Sequence, residues 1–488
     1  MALKFPTIYL LPKGLDPGRM SELESQIPSL TYDINEAEVV LGKLSHPQRA
    51  KLELQIRNIA TEDLLPSQPP DSADVNSGPP AKRRKVSESA AHDVVSSTAP
   101  DGETATDVSR PTPANPPNAA FIEQLKEIRT IRTLTDDKDG ERAYGARAYS
   151  TAISTLAAYP YRISCVPEIE RLPGCSTKIA GLWDEWRENG FIQEVEDAKT
   201  DEKLSVLKLF YDIWGVAATT AREFYSKGWR DIDDIVEYGW SSLTRVQQIG
   251  VKFYDEFKLK IPRAEVESIG QTILEHANKI HEGFHMVIVG GYRRGKNGSG
   301  DVDVVLSHPN PDCTLNFVLD IVASLEDSQY ITHTLTLSTK NSERGQTPVA
   351  WKGEGRKAGT GFDTLDKALL VWQEPAWDRS SASASQKQKN PNPHRRVDII
   401  ISPWRTAGCA VLGWSGATTF QRDLRRYCKE KKQLKFDSSG IRSRANGRWV
   451  DVESDPDGPA PDLLTAEKRV FASLGLEWRP PEERCTDG

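Results

Sequence analysis

No aromatic residue occurs between Tyr32 and Phe121, although aromatic residues recur on both sides of that stretch. Aromatic rings bury more area than most side chains, so one hydrophobic core cannot run through it and the chain must fold in separate units. From Leu65 to Ala119 the composition turns to Pro, Ser, Ala, Thr and Asp. Such a stretch cannot bury enough apolar surface to offset chain entropy, and residues 66–119 are predicted to be a disordered linker. The linker parts a small ordered unit at 1–65, with strand-like FPTIYLL and helical spacing in SHPQRAKLELQIRNIA, from a long remainder. At 488 residues the chain exceeds what one core usually organises, so several domains are expected.

Composition narrows the class. Hydrophobic residues are 38% and charged residues 27% of the chain, enough to build cores. No apolar run approaches the roughly 18 to 20 residues that cross a bilayer, so no membrane role is expected. The opening MALKFPTIYLLPKGLDP has no basic segment followed by an apolar stretch and a small-residue cleavage site, so the protein is expected to stay inside the cell. Six cysteines without a CxxC pair argue against a zinc module and a disulfide framework. Within the linker, PPAKRRKVSESA carries the basic cluster Lys82–Val86. An extended chain would present it to an import receptor, which makes the nucleus the expected location; a solvated charge run is the plainer alternative. The net charge of −7 averages acidic and basic segments and decides nothing about nucleic acid. No oligomer signal is visible, so a monomer is expected.

Beyond the linker the periodicity changes twice. From Phe121 to about Lys260 it is helical, and two segments, IERLPGCSTKIAGLWDEW and FYDIWGVAATTAREFYSKG, share a helix, a Gly turn (Gly174, Gly215) and a small-residue helix start. A Gly turn before a helix aims backbone N–H groups outward, where they can hold a DNA phosphate without reading bases. The pair is either a duplicated helix-hairpin-helix or two ordinary αα-hairpins, since Ser176 and Ala217 replace the usual second glycine. From Ile261 the pattern alternates: HMVIVGG, DVDVVLSHP, ALLVWQ and RRVDIIISP read as strands and QTILEHANKIHEG as a helix, an α/β unit with a mixed sheet. A long polar hairpin loop, EPAWDRSSASASQKQKNPNPH, joins the last two strands. After Pro403 follow a basic helix, ATTFQRDLRRYCKEKKQL, and short turn-rich strands.

The chemistry concentrates in GGYRRGKNGSGDVDVVLSHP. Asp301 and Asp303, two apart on a strand, send both carboxylates to one face, a pattern suited to a hard divalent cation. Asp398 lies in HRRVDIIIS among apolar neighbours, where an unpaired charge is costly and a metal would offset that cost. Gly290 and Gly291 allow close approach of the backbone to a triphosphate, and Arg294 offers it a fork of donors. An isolated DxD is more often a solvated strand edge; here the glycines, two arginines, DxD and RxD occur in order. The ensemble reads as a nucleotidyl-transfer site.

The segments GGYRRGKNGSGDVDVVLSHP, RRVDIIIS, GWSGATTFQRDLRRYC and LGLEWRPPEER resemble the family X DNA polymerases, the group of polymerases beta, lambda and mu and terminal transferase. The resemblance runs from about Phe121 to Arg484 and is nearest a fungal mu-type member. It implies a multidomain α+β chain: an eight-kilodalton helical domain (120–198) with the first helix-hairpin-helix, fingers (199–260) with the second, a nucleotidyltransferase palm (261–403) and a small α/β thumb (404–488). Residues 1–65, through IYLLP and YDINEAEVVLGK, are similar to a BRCT module without its Trp-containing last helix, a partial unit that could dock on end-joining factors.

That resemblance also implies roles. Asp301, Asp303 and Asp398 would hold two Mg²⁺ ions, with Mn²⁺ able to substitute, and Asp398 could take the primer hydroxyl's proton. Gly290, Gly291, Arg294, Ser299 and Gly300 would hold the triphosphate, Gly413, Trp414 and Gly416 would border the sugar, and Gln421 would face the nascent pair. Gly174, Ser176, Lys178, Gly215, Ala217, Arg396 and Arg425 would contact gapped or broken double-stranded DNA, with Na⁺ or K⁺ at the hairpins. Three departures refine the picture. Leu182 stands where beta and lambda carry the lysine that removes 5′-deoxyribose phosphate, and a Schiff base needs an amine; Lys178, one turn earlier, is a weak substitute. Gly413-Trp414 replaces a Tyr-Phe pair at the sugar, so ribonucleoside as well as deoxynucleoside triphosphates are expected as substrates. The long loop before His394 occupies the position where mu and terminal transferase carry a loop that stands in for missing template. The expectation is a gap-filling polymerase of non-homologous end joining. The alternatives are a base-excision polymerase with lyase activity, a non-catalytic DNA-binding scaffold and a template-independent transferase acting on RNA tails.

Overall fold

A computed structural model describes residues 111–135, 143–348, 364–377 and 390–486, with short pieces at 8–10, 27, 30–31 and 39–41. The chain divides into two compact units, 1–104 with 232–241, and 105–231 with 242–488. In the first, β1 (Ile8–Leu10), β2 (Leu30–Thr31) and β3 (Val39–Leu41) form a parallel sheet in the order β2-β1-β3. The strand expected in FPTIYLL is therefore β1. The helix expected in SHPQRAKLELQIRNIA and the cluster Lys82–Val86 lie outside the described residues.

In the second unit, the helices Ala119–Thr135 and Ala143–Ala158 pack together. Phe121, Leu125 and Ile128 recur at helical spacing and are buried with Tyr149, Ile153, Leu156, Ile179 and Trp183. Two hairpins follow. Val166–Glu170 and Thr177–Asn189 flank Gly174, and Glu202–Tyr211 and Ala218–Ser226 flank Gly215. One boundary differs from the sequence reading. Within the stretch 66–119 read as linker, residues 111–118 are ordered, because buried Thr112 pairs with Arg484 in a parallel bridge.

The sheet that carries the site is five-stranded. A short pair, β4 (Ile261–Pro262) with β6 (Gly298–Ser299), stands beside it. Its own members are β5 (His285–Ile288), β7 (Val302–Ser307), β8 (Ile331–Ser338), β9 (Asp366–Trp372) and β10 (Arg395–Ile401), in the order β5-β7-β10-β9-β8. Only β7 and β10 run parallel; the other neighbours are antiparallel, so the sheet is mixed. The sequence reading misses β8, an edge strand whose Thr- and His-rich ITHTLTLS is only partly buried.

Both faces of the sheet are covered, which is why VDVVLS and RRVDIII read as near-continuous apolar runs. Val302, Val304, Leu306, Val397 and Ile399 pack against Val266, Ile269 and Ile273 of helix Arg263–Ile280 and Phe317 and Ile321 of helix Phe317–Asp327. On the opposite face, Val305 and Ile400 meet Ala407, Ala410 and Val411 of helix Ala407–Ser415. That helix also enters the last core through Cys409 and Leu412, with Phe420 and Leu424 of helix Thr418–Lys432, strands β11 (Leu434–Asp437) and β12 (Gly440–Ser443), and Val470 and Phe471 of helix Leu463–Ser473. β13 (Trp449–Val450) completes the small antiparallel sheet. No helix among the described residues is long and apolar enough to cross a membrane.

One buried ion cluster locks these layers. Arg293 donates to Glu467 through Nη1 at 2.9 Å and Nη2 at 3.0 Å, and Arg484 Nη1 reaches the same carboxylate at 2.7 Å. Both Glu467 and Arg484 are fully buried. Burial alone would raise the Glu467 carboxyl, yet Arg484 and Arg293 hold it below its ordinary value. Removing one partner strands the others in a low-dielectric interior. Glu467→Ala is therefore expected to cost about 3–5 kcal/mol in urea unfolding, whereas Lys199→Ala, which breaks the exposed pair with Glu196, should change stability by less than about 1 kcal/mol.

Candidate active site

The parallel register of β7 and β10 sets Asp398 beside Asp303. Asp301 stands in the bend just before β7, two residues from Asp303, so all three belong to the sheet face that carries Val305 and Ile400. Burial pushes the Asp303 carboxyl well above the usual carboxylate range, and the charges of Asp301 and Asp398 push it further. Asp398 is pushed up to about 7 by burial and by Asp301, against the opposing charges of Arg396 and Lys367. This is negative charge awaiting compensation.

Arg396 supplies part of it. Its Nη2 donates to Asp301 Oδ2 at 2.5 Å, and its guanidinium lies 5.5 Å from the centre of the Trp214 ring. The residue expected at DNA is thus turned onto the acidic cluster. Among the described residues, no three His, Cys, Asp or Glu side chains are gathered so as to hold a metal ion. The aspartates are neighbours, not a finished cage, because Asp301 is engaged by Arg396. Their donor set nevertheless fits a hard divalent cation, being all carboxylate oxygen, and the raised Asp303 and Asp398 mark the charge that such an ion would offset.

The Gly-rich turn is shaped around these carboxylates. Gly290 has φ +63°, and a Cβ there would lie 2.0 Å from Asp303 Oδ2, so only glycine lets the turn close over the aspartate. Gly291 and Gly300 lie in the same loop; a Cβ on Gly291 would meet Lys296 Cδ at 3.2 Å, and one on Gly300 would meet Arg396 Nη2 at 4.0 Å. Three buried polar atoms of the expected nucleotide set have no hydrogen-bond partner: Arg294 Nε, Ser299 Oγ and Trp414 Nε1. Each can donate, and each would be satisfied by an oxygen-rich anion. Arg294 also gives Nη1 to the Ser415 carbonyl at 3.1 Å, and burial lowers its pKa.

Other expected residues lie on the two helices that follow β10. Gly413 and Trp414 form the last turn of helix Ala407–Ser415, and the extended Gly416 ends it. Gln421, expected to face the nascent pair, is buried and donates Nε2 to the Leu412 carbonyl at 2.6 Å. The last carbonyls of a helix have no donor ahead of them, and Gln421 answers one of them. Arg425 Nε donates to the Gln421 carbonyl at 2.9 Å. Sequence reasoning missed Lys367 on β9, whose Nζ lies 5.7 Å from the centre of the Trp414 ring, and Glu467 as the partner of Arg293; neither residue belongs to a local motif.

The two hairpins share one geometry. Gly174 and Gly215 are left-handed, with φ of +78° and +87°. Ser176 and Ala217 take nearly the same extended conformation, φ −98° and ψ 172° against φ −94° and ψ 170°, and neither caps its helix with a side chain. First-turn N–H groups left without a side-chain cap suit a backbone phosphate. Lys178 Nζ sits 5.8 Å from the centre of the Tyr149 ring, and Leu182 packs against the core of the helical domain.

The chain matches family models in sequence order: a helix-hairpin-helix domain over residues 116–191, the fingers domain of DNA polymerase lambda over 208–258, the DNA polymerase beta palm over 260–404 and the DNA polymerase beta thumb over 410–485. It is similar to the DNA polymerase type-X family protein pol4 of Schizosaccharomyces pombe, 32% identical over 77% of this chain and 66% of that protein. It is also similar to DNA polymerase lambda of Arabidopsis thaliana, 29% identical over 74% of this chain and 60% of that protein. A third relative is the DNA-directed DNA/RNA polymerase mu of Homo sapiens, 26% identical over 77% of this chain and 70% of that protein. The chain thus spans slightly less than two thirds of the first two relatives' length.

The raised carboxyl of Asp398 gives a stability test. Between its ordinary value of 3.8 and about 7, the metal-free folded state keeps a proton that the unfolded chain has released, so stability is lost as pH rises through that window. Asp398→Asn should therefore melt above wild type at pH 8 in chelator and lose that advantage near pH 4. Added Mg²⁺ at pH 8 should raise the wild-type melting temperature more than that of the variant, as read by scanning calorimetry.

Proposed function

The chain belongs to the type-X family of DNA polymerases, and from that premise we propose that it adds nucleotides to a primer 3′-hydroxyl, filling short gaps in DNA repair. The observation that carries this reading is the acidic triad, with Asp398 in register with Asp303 and Val302 alone separating Asp301 from Asp303. Asp301, Asp303 and Asp398 would hold divalent ions, Mg²⁺ by preference and Mn²⁺ in substitution, which neutralise the triphosphate and polarise the attacking and leaving oxygens when bound. Arg396, bonded to Asp301 in this structure, would serve DNA phosphate where ions take up that carboxylate. The Asp398 carboxylate accepts the proton that leaves the primer hydroxyl. Arg294 Nε and Ser299 Oγ donate to the phosphates, with Gly290, Gly291 and Gly300 giving the backbone its close approach. Trp414, with Gly413 and Gly416, borders the sugar.

The proposed substrates are gapped or broken double-stranded DNA and deoxynucleoside triphosphates, held by a monomer in the nucleus. The hairpin turns at Gly174 and Gly215, with Ser176, Lys178 and Ala217, would grip backbone phosphates, each with a Na⁺ or K⁺ ion, while Arg425 would lie toward the template. Likeness to a relative named a DNA-directed DNA/RNA polymerase supports acceptance of ribonucleotides, and likeness to pol4 and mu supports a place in end joining, where residues 1–65 could engage other end-joining factors. A base-excision role with lyase chemistry is the weaker reading, because Leu182 offers no amine and packs, half-buried, against the helical core.

Primer extension distinguishes these readings. On a one-nucleotide gap with a 5′-phosphate, and on breaks with non-complementary 3′ overhangs, the full chain should add both deoxy- and ribonucleotides, and Asp398→Ala should lose at least about a thousandfold in rate. Borohydride should trap no adduct on a 5′-deoxyribose phosphate end. Activity on the gap alone with ribonucleotides refused would return the protein to short-patch repair, and no extension of either DNA would overturn the polymerase reading.

A further inference from the structure

The segment Glu483–Thr486 meets Thr112, Glu467, the start of helix Thr418–Lys432 and the loop of Arg294. Thr112 is fully buried, and three of its polar groups bond to this segment. Its N–H donates to the Glu483 carbonyl at 2.8 Å, its Oγ1 to the same oxygen at 2.9 Å, and its carbonyl accepts from Cys485 N at 2.9 Å. Thr486 Oγ1 adds a bond to Thr112 Oγ1 at 3.0 Å. Six residues on, Asn118 ties the same strand to the helical domain, accepting from Ile163 N at 3.0 Å and donating to the Tyr161 carbonyl at 2.9 Å.

The other side of the segment faces the nucleotide loop. The Arg484 guanidinium pairs with Glu467, which holds Arg293, and its carbonyl accepts from Ala417 N at 3.1 Å, at the start of helix Thr418–Lys432. The Cys485 thiol lies between two carbonyls, 3.2 Å from that of Glu482 and 3.6 Å from that of Arg294, and so packs on the nucleotide loop. One stretch of four residues therefore joins the root of the first hairpin domain to the backbone that carries Arg293 and Arg294. Close-packed, fully bonded elements shift together, not separately.

We propose that Thr112 and the segment Glu483–Thr486 form a clasp that couples engagement of downstream DNA by the helical domain to nucleotide affinity in the palm, with Thr112 as a positioning residue. The proposal rests on the gap-filling reading. When the first hairpin domain seats on a downstream strand, the segment 112–118 moves with it through Asn118. The clasp transmits that position to the Arg294 carbonyl and to the Arg293–Glu467 pair. Nucleotide then binds more tightly on a gap than on a recessed end. Breaking the clasp leaves both sites intact and removes the difference.

The test measures binding of a deoxynucleoside triphosphate to the full chain on two DNAs whose primers end in a dideoxynucleotide: a one-nucleotide gap with a 5′-phosphate, and the same primer and template without the downstream strand. Wild type should bind the nucleotide about fivefold more tightly on the gap, the lower end of usual couplings. Thr112→Val and Thr486→Ala, which remove the hydroxyl bonds and spare the two backbone ones, should each lower that ratio while leaving affinity on the recessed end unchanged. Thr112→Ser, which keeps the hydroxyl, should retain it. A wild-type ratio of one, variants that keep the wild-type ratio, or variants that weaken binding equally on both DNAs would overturn the proposal. Because the assay reads binding without chemistry, a chain that shows the coupling yet never extends an ordinary primer fails the polymerase reading and not this one.

Discussion

Three carboxylates crowded on one face of a covered sheet are the constraint around which the molecule is organised. The parallel pairing of β7 and β10 brings Asp303 and Asp398 together, and the bend before β7 adds Asp301. Like charges at such separation in a partly desolvated place cannot all ionise without compensation. The surroundings answer with cations. Arg396 is bonded to Asp301, Lys367 acts on Asp398, and Arg294 lies near enough to Asp303 to lower its carboxyl against burial. A negative cluster only partly answered by these cations is unfavourable for stability, and its retention makes chemical sense where a divalent ion and a triphosphate are to be held.

A site under such electrostatic stress needs a stiff frame. Helix Ala407–Ser415 supplies one part, since it belongs to two cores, meeting Val305 and Ile400 on one side and Phe420, Leu424 and Phe471 on the other. The buried Arg293–Glu467–Arg484 cluster supplies the second. A double-ended Arg293 fork on a fully buried carboxylate fixes the turn that also carries Gly290 and Arg294. The palm loop, the thumb helix and the segment after Pro480 are thereby held by a single charge, Glu467.

What was legible in the sequence follows from range. Asp301, Asp303, Gly290 and Arg294 lie within one short motif, and Asp398 betrays itself as a charge inside an apolar strand, so residue order alone exposes the acidic site. The hairpins were legible too, because Gly174 and Gly215 sit in repeated contexts and their left-handed φ values are a local property. Glu467, Lys367 and Thr112 were not, since their partners lie far away in the chain and no local pattern marks them. Thr112 shows the limit well: it stands in Pro-rich sequence that reads as linker, and it is ordered only because Arg484 and Cys485 meet it. β8 escaped for the opposite reason. Its edge position lets it keep a polar, half-exposed composition.

Gly413 shows how a residue singled out for chemistry can be held in place for another cause. From sequence, the absence of a bulky side chain there points to a relaxed sugar pocket. In the fold, a Cβ on Gly413 would lie 2.8 Å from Ser438 Cβ and 3.0 Å from its Cα. Ser438 belongs to a turn that has little freedom to yield. Asp437 Oδ1 accepts from Ser439 N at 3.0 Å and from Arg442 Nη1 at 2.7 Å, Arg442 Nη1 also donates to the Gly440 carbonyl at 2.8 Å, and Thr364 Oγ1 donates to Ser439 Oγ at 3.0 Å. The pair is buried, so loosening it would expose uncompensated charge. Packing against this turn therefore requires a glycine at 413 whatever the sugar. The end of helix Ala407–Ser415 is accordingly seated on the β11–β12 turn, and both lie within the thumb.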